Sequence, residues 1–445
     1  MDTKAIQHIM RNDYTYIKPR STQRILQMVL GEGSGILLSE GARHRRQNPA
    51  FGPNQIRELT PAFFEKSFEL RDIWAAQITE GVGRVDAMDW FSKTALDIIG
   101  LTGFNYHFNG LNGRSQTNEL SLAFSAIFRS SGWASAWMPV IAALPIQRVF
   151  RAVSIDPMNA CAECIQRIGR EILTESKAYL AATGEKSSWG ARDLLSLLLK
   201  SNMSTEIAGE ERMSDADVIA QIPTFLIAGF ETTSTSLTWA FLALSQHQEI
   251  QDKLREELLG VSTATPSMDE LNELPLLDAF LRETLRLYAP LIHIMRAAEK
   301  DDIIPLAHPI TDCDGIVHNE LLVRKGQMFN LSLLGVNTDK SLWGPDAGEF
   351  RPERWLQLPD SVKSIPGVYS NLMTFFGGSR GCIGWRFALM EMKVLLFTLV
   401  RSFEVELEVP KEQIVTSRAA AMQRPSLSSE PIRAILPVII RPLKD

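Results

Sequence analysis

Cysteine is scarce in this sequence. The chain has 445 residues and four cysteines, Cys161, Cys164, Cys313 and Cys382. Four are too few for a disulfide scaffold and suit a reducing compartment. Excess positive charge is missing too. Lys+Arg number 46 against 52 Asp+Glu, a net charge of −6, which excludes a basic nucleic-acid binder. No long hydrophobic run is present. The longest uncharged stretch, Ser130–Gln147, contains Gly132, Pro139, Pro145 and three serines, and makes a poor transmembrane helix. The N-terminus, MDTKAIQHIMRNDYTY, is polar and carries no signal peptide. There is no internal repeat and no glycine fingerprint for a flavin or nicotinamide. With 45% hydrophobic and 22% charged residues, disorder is excluded as well.

What is present reads as helix over most of the first 260 residues. Apolar residues recur at helical spacing in Pro61–Ala76 and Met158–Leu180, and Gly184–Gly190 reads as a linker. A long helix is predicted from Ser214, its N-cap, to about Gln246. At 1.5 Å per residue it would be roughly 50 Å long. Its only charge between Asp217 and Glu249 is Glu231, followed by Thr232 and Thr233. A helix that is apolar all round crosses the centre of a large domain. Pro223 should kink it. Another helix is expected over Pro275–Tyr288. Gly315–Val323 and Met328–Leu334 read as hairpins, Ile383–Arg401 as a helix, and Pro431–Pro442 as strand. There is no βαβ alternation, so a doubly wound sheet is excluded.

One segment carries the chemistry: Phe375-Phe-Gly-Gly-Ser-Arg-Gly-Cys-Ile-Gly384. It sets Cys382 at the start of a helix, where free N–H groups and the dipole lower a thiol pKa. Gly377, Gly378, Gly381 and Gly384 remove side chains, so that something flat and large can approach the sulfur. Arg380 offers a cation for carboxylates, and Phe375 can shield the sulfur. A lone thiolate cannot build a zinc site, but it can be the axial ligand of haem iron.

The full spacing resembles the haem-binding loop of cytochromes P450, matched at Phe375, Gly378, Arg380, Cys382 and Gly384. Three more motifs follow the family's order. Glu283-Thr-Leu-Arg286 resembles the Glu-x-x-Arg motif, whose spacing puts both side chains on one helix face. Pro352-Glu-Arg354-Trp resembles the segment whose arginine joins that pair. Ala228-Gly-Phe-Glu231-Thr232-Thr resembles the oxygen-activating segment of the long helix. Asn48–Gly52 also looks family-like.

The resemblance implies a mainly α fold with a small β region, built as one domain over 1–445. Haem b would sit between the long helix and the Cys382 helix. It implies a monooxygenase that inserts one oxygen atom from O2 into a lipophilic small molecule, in secondary or xenobiotic metabolism. Cys382 would be the iron ligand. Arg380, Arg296 and His44 would hold the propionates. Thr232 would hydrogen-bond the oxygen under activation and Glu231 would relay protons. Glu283, Arg286 and Arg354 would be structural. The pocket is expected from Phe124, Phe128, Trp133, Trp137, Phe225, Ile292 and Ile294. Electrons would come from an NADPH–cytochrome P450 reductase carrying FAD and FMN, with cytochrome b5 as a second donor. Arg386 and Lys393 would face that partner. The resemblance places a monomer at the cytosolic face of the endoplasmic reticulum membrane.

Two departures set the alternatives. The chain opens at Ala5-Ile-Gln-His-Ile9, which resembles a later helix of the family, so the anchor and first strands are expected to be lacking. The segment His44–Phe51 is about four residues short, close to one helical turn, with Asn48 where an arginine is usual. Arg45 or Arg46 would then replace the lost contact. The rivals are a truncated, haem-poor inactive protein and an O2-independent haem-thiolate isomerase or dehydratase. Glu231-Thr232 argues against the second.

Overall fold

The computed structural model describes residues 1–30, 51–112, 156–183, 193–203, 215–419 and 421–443. The helices in chain order are α1 (Thr3–Arg11), α2 (Arg20–Leu30), α3 (Pro53–Ala76), α4 (Ala87–Phe104), α5 (Asp156–Thr183), α6 (Leu194–Met203), α7 (Asp215–Gln246), α8 (Gln248–Leu259), α9 (Met268–Asn272), α10 (Pro275–Leu287), α11 (Leu333–Asn337), α12 (Lys340–Trp343) and α13 (Trp385–Val400). The strands are β1 (Tyr16–Ile17), β2 (Gly83–Asp86), β3 (His293–Ala298), β4 (Asp302–Thr311), β5 (Val317–Val323), β6 (Met328–Ser332), β7 (Phe403–Leu407), β8 (Ile414–Ala419), β9 (Met422–Leu427), β10 (Glu430–Ala434) and β11 (Pro437–Pro442). The described residues are mainly α with four small sheets, as the residue pattern implied.

Helix α7 runs through the middle because nearly every face of it is apolar. Leu237, Ala240, Phe241 and Leu244 on successive turns are fully buried. Asp215 and Asp217 lie in its first turn, where they favour the positive end of the dipole. Pro223 removes one backbone donor without ending the helix. Helix α4 packs along it. Phe91 meets Phe241 edge to face at 4.7 Å, and Trp74 of α3 closes the cluster at 5.8 Å from both rings. Such offset ring pairs add about 0.5–1.5 kcal/mol each beyond burial. On the other side α3 supports α13 through Phe63 and Phe387, 4.9 Å apart, and through a buried Ser67–Thr398 hydrogen bond.

The β region differs from the sequence expectation. Residues 315–323 form one arm of a hairpin closed at Asp314-Gly315, as expected, but 328–334 do not. β5 pairs antiparallel with β4, while β6 pairs with β3, which also carries β1. Local turn residues mark where chains reverse, but the partner of β6 lies upstream, before either turn. The C-terminal stretch is likewise two strands in two sheets, β10 beside β9 and β11 between β2 and β7. Helix α3 begins at Pro53, eight residues before Pro61, which sits inside it. Helix α13 starts at Trp385 rather than Ile383. Ser214 and 184–190 lie outside the described residues.

Helix α1 is tied to the β4–β5 hairpin. Asp2 caps it and also accepts from the backbone N–H of Ala307 (2.7 Å), while Lys4 donates to the Leu306 carbonyl and His8 meets Asp302 at 2.9 Å. Its C-terminal end leans on the loop before α13: Ser379 donates to Asp13.

Candidate active site

The loop at 375–384 is held in one shape. Cys382 N–H donates to the Phe375 carbonyl (2.8 Å), Gly381 N–H to that of Gly378 (3.1 Å), and Val368 N–H to that of Phe376 (2.8 Å). Gly378 has φ +65°, a left-handed conformation that glycine adopts without penalty. A Cβ on Gly377 would lie 2.1 Å from the Pro366 carbonyl oxygen and 2.5 Å from Met10 Cε, so no side chain fits there.

Above the loop is a cavity of about 310 Å³. Its apolar wall includes Phe51, Ile99, Phe225, Leu291, Ile294 and Phe387. Cys382 faces this space: a water-sized sphere reaches the sulfur, yet protein encloses it. Burial pushes its thiol up to about 11, with only the Gly384 N–H pulling the other way. This corrects the expectation of a lowered thiol pKa. The first helical residue is Trp385, three residues on, so one N–H reaches the sulfur and desolvation wins.

Three cations share the cavity: Lys18, Arg296 and Arg380. Lys18 makes no side-chain hydrogen bond or ion pair among the described residues. Burial and the two arginines push its ammonium down to about 7. Arg296, 8% exposed, donates to the Met295 carbonyl (2.9 Å) and stacks over Phe376 at 5.3 Å, and burial brings it down to about 10. Burial also lowers Arg380, with Asp13 opposing. Three converging positive charges and an enclosed thiol, beside a glycine cradle, fit a flat dicarboxylate with a metal at its centre. They fit haem.

Helix α7 supplies the polar part of the cavity's far wall. Thr224, Thr232, Thr233 and Ser236 line it. Thr232 Oγ1 donates to the Ala228 carbonyl at 2.6 Å, and Ser236 Oγ to that of Thr232 at 2.9 Å. With its proton committed, Thr232 offers lone pairs to the cavity. Glu231 is not among the lining residues. Its carboxylate pairs with Arg424 of β9. Burial holds Glu231 above the ordinary carboxylate range, and Arg424 only partly offsets it.

Behind the loop lies a buried charge network. Glu283 accepts from Arg286 Nε (2.9 Å) and Nη2 (2.8 Å), Arg354 Nε (3.2 Å), Arg351 N–H (2.9 Å) and Trp355 Nε1 (3.1 Å). Arg286 also donates to the carbonyls of Asn337, Ala347 and Glu349, and Arg354 pairs with Asp346 at 3.0 Å. The network reaches the ligand loop through Asn337 and Thr374. Asn337 donates to Thr374 Oγ1 (2.8 Å), which donates to the Leu285 carbonyl (2.7 Å).

The structure thus brings together Phe375, Arg380, Cys382, Gly384, Arg296, Thr232, Phe225 and Ile294 on one cavity. Gly378 shapes the loop without lining the cavity, and Ile292 is also off the wall. His44, Arg45, Arg46, Asn48, Phe124, Phe128, Trp133, Trp137 and the whole of Ser130–Gln147 lie outside the described residues. Lys393 is not a surface cation: it is 3% exposed and pairs with Asp278 at 3.0 Å. Helical position alone did not show that side of α13 turning inward. Arg386 stacks on Trp385 at 4.0 Å and is partly exposed. Sequence reasoning missed Lys18 and Arg424. Neither sits in a motif; only the pairing of β1 with β3 and the return of β9 bring them to the site.

No helix among the described residues is long and apolar enough to cross a membrane. A family model described as Cytochrome P450 matches residues 1–429. Cytochrome P450 monooxygenase 128 of Postia placenta is 47% identical over 456 residues, covering 99% of this chain and 83% of that protein. Monooxygenase 205 of the same organism is 46% identical over 454 residues with the same coverage. Ganoderic acid synthetase CYP5150L8 of Ganoderma lucidum is 34% identical over 463 residues, covering 97% and 83%.

Proposed function

The chain belongs to the cytochrome P450 family, and on that premise we propose that it is a haem-thiolate monooxygenase acting on a lipophilic small molecule, one domain over 1–445. The observation that carries this is Cys382 at the floor of an apolar cavity, facing the hydroxyl-bearing side of α7. Haem b bound there would supply thiolate-ligated iron for dioxygen activation.

The chain's own residues do the rest. Cys382 Sγ accepts the Gly384 N–H, which tempers its charge, and Phe375 keeps water from it. Lys18, Arg296 and Arg380 would hold the haem's two propionates. Thr232 Oγ1 accepts a proton-bearing group in the cavity while its own hydrogen stays on Ala228. Glu231, one residue away, passes protons towards that hydroxyl through water. The apolar wall takes up substrate and excludes bulk solvent. Hydroxylation or epoxidation is the reaction class.

Other parts of the reading rest on kinship. A flavin reductase as donor, with cytochrome b5 as auxiliary, follows the family's need for external electrons. Arg386 is the remaining candidate contact. A place on the endoplasmic reticulum membrane follows the fungal relatives, and secondary metabolism follows a relative named for ganoderic acid synthesis. The hydroxyl wall at Thr232 favours oxygen activation over an O2-independent rearrangement. The test is the difference spectrum of the reduced protein with carbon monoxide. A band at the thiolate-haem position, lost in Cys382→Ala, is expected. No haem uptake by the native chain, or an unchanged band in the variant, would sink the assignment.

A further inference from the structure

Glu231 and Arg424 stand out because their pairing joins two distant pieces of chain at a buried place. Glu231 is on α7, next to the cavity hydroxyl of Thr232. Among the described residues Arg424 is the charged group that acts on it. Helix α7 carries no other charge between Asp217 and Gln246, and among the described residues the elements packed on it add none besides Arg424 that reaches Glu231. Nη2 of Arg424 meets Glu231, while its Nε is buried with no hydrogen-bond partner among the described residues.

Arg424 is also fixed from behind. Gln423 N–H donates to the Pro290 carbonyl and Ile292 N–H to that of Ala421, both at 2.9 Å. Gln423 Nε2 donates to the Ala289 carbonyl at 2.9 Å, and Trp239 Nε1 of α7 to the Gln423 carbonyl at 3.3 Å. A guanidinium on so tethered a strand has little freedom to leave. Pro290 and Leu291, to which the strand is stitched, line the cavity.

We infer that Arg424 is the positioning residue of the proton relay: it keeps the Glu231 carboxylate charged and anchored beside the cavity, a role that nothing in the P450 motifs assigns to it. This rests on the relay reading of Glu231 given above. The logic is a balance of two effects. Burial alone favours the neutral acid, and an adjacent opposite charge favours the anion. A neutral Glu231 has no lone carboxylate to take up and pass on a proton. Without Arg424 the burial effect stands unopposed, so the carboxyl holds its proton to higher pH and serves the relay less well. A neutral side chain at 424 leaves the strand's own tethers, through Gln423 and Ala421, in place.

The experiment is an infrared difference titration of the haem-loaded protein without substrate, in the native chain, Arg424→Gln and Glu231→Gln. The band lost in Glu231→Gln identifies the group. In Arg424→Gln its midpoint should rise by roughly 1–3 pH units, as loss of a neighbouring opposite charge dictates. Product formed per NADPH should fall in Arg424→Gln, and the double variant should be no worse than Glu231→Gln alone. An unmoved midpoint, or losses that add in the double variant, overturns the inference. If Glu231→Gln keeps native coupling, the relay reading fails, while the infrared midpoint still decides what Arg424 does to the carboxyl. Should Arg424→Gln not fold, Arg424→Met, which removes the charge and keeps most of the side chain's length, is read for the same rise; an unmoved midpoint overturns the inference.

Discussion

Replacing Glu283 by alanine should cost more than any surface ion pair in this protein. Glu283, Arg286 and Arg354 are at most 2% exposed. Removing Glu283 leaves Arg286 with three carbonyls and no counter-charge, while Arg354 retains Asp346. Deleting one partner of a buried pair costs about 3–5 kcal/mol, because the other charge stays desolvated. Unfolding entropy near the midpoint is ~2.1 cal/mol/K per residue. Over 445 residues that gives roughly 0.9 kcal/mol/K, so a loss of ~4 kcal/mol lowers Tm by about 4 °C. Glu283→Gln, which keeps the shape and one acceptor, should fall between. The assay is a thermal melt of the haem-loaded variants against Asp360→Asn, whose partner Lys363 lies with it at the surface. That control should not move. The network reaches Thr374, next to Phe375, so Glu283→Ala should also shed haem faster. If Glu283→Ala melts no lower than Asp360→Asn, the burial argument is wrong.

The remaining predictions concern the cavity. Lys18→Met should weaken haem binding in a pH-dependent way. The ammonium is held near 7 without a counter-anion and rises when carboxylates arrive, so haem uptake draws a proton above pH 7. The native advantage is then full below pH 7 and shrinks above it. It is read as the ratio of haem dissociation constants of native and variant across pH 6–9 (an interval chosen around the lysine's pKa of about 7); in that ratio the cysteine's own titration cancels. A ratio independent of pH would remove Lys18 from the propionate set. Thr232→Ala should leave substrate affinity nearly unchanged and lower product per NADPH, since the acceptor in the cavity is gone. Native coupling in that variant would show that Thr232 serves only its bond to Ala228.

The sequence made the class legible because the haem-loop residues act through local geometry. Cys382, its glycines and Arg380 lie within ten positions, and Glu283 and Arg286 are one helical turn apart. The central helix was equally legible, since its lack of charge left it one place to go. What stayed hidden depends on tertiary return of the chain. Lys18 reaches the cavity only because β1 lies on β3. Arg424 reaches Glu231 only because β9 is sewn to residues 289–292. The partner of β6 was hidden for the same reason. The thiol's direction of shift was misjudged because a helix start was credited before its distance from the sulfur was known.

Helix α1 leans on the ligand loop, and this has a bearing on the order in which the molecule can be made. Asp13 and Ser379, joined by a hydrogen bond, are 366 positions apart. Met10 fills the space where a Gly377 side chain would go. The loop that presents Cys382 therefore takes its final shape only when the first residues of the chain have met residues near its last quarter. Contacts of such separation are paid for late, after local helices and hairpins have formed. Capture of haem in its final setting is thus expected to follow the meeting of these two segments. Early helices cannot template it; it closes the assembly like a keystone.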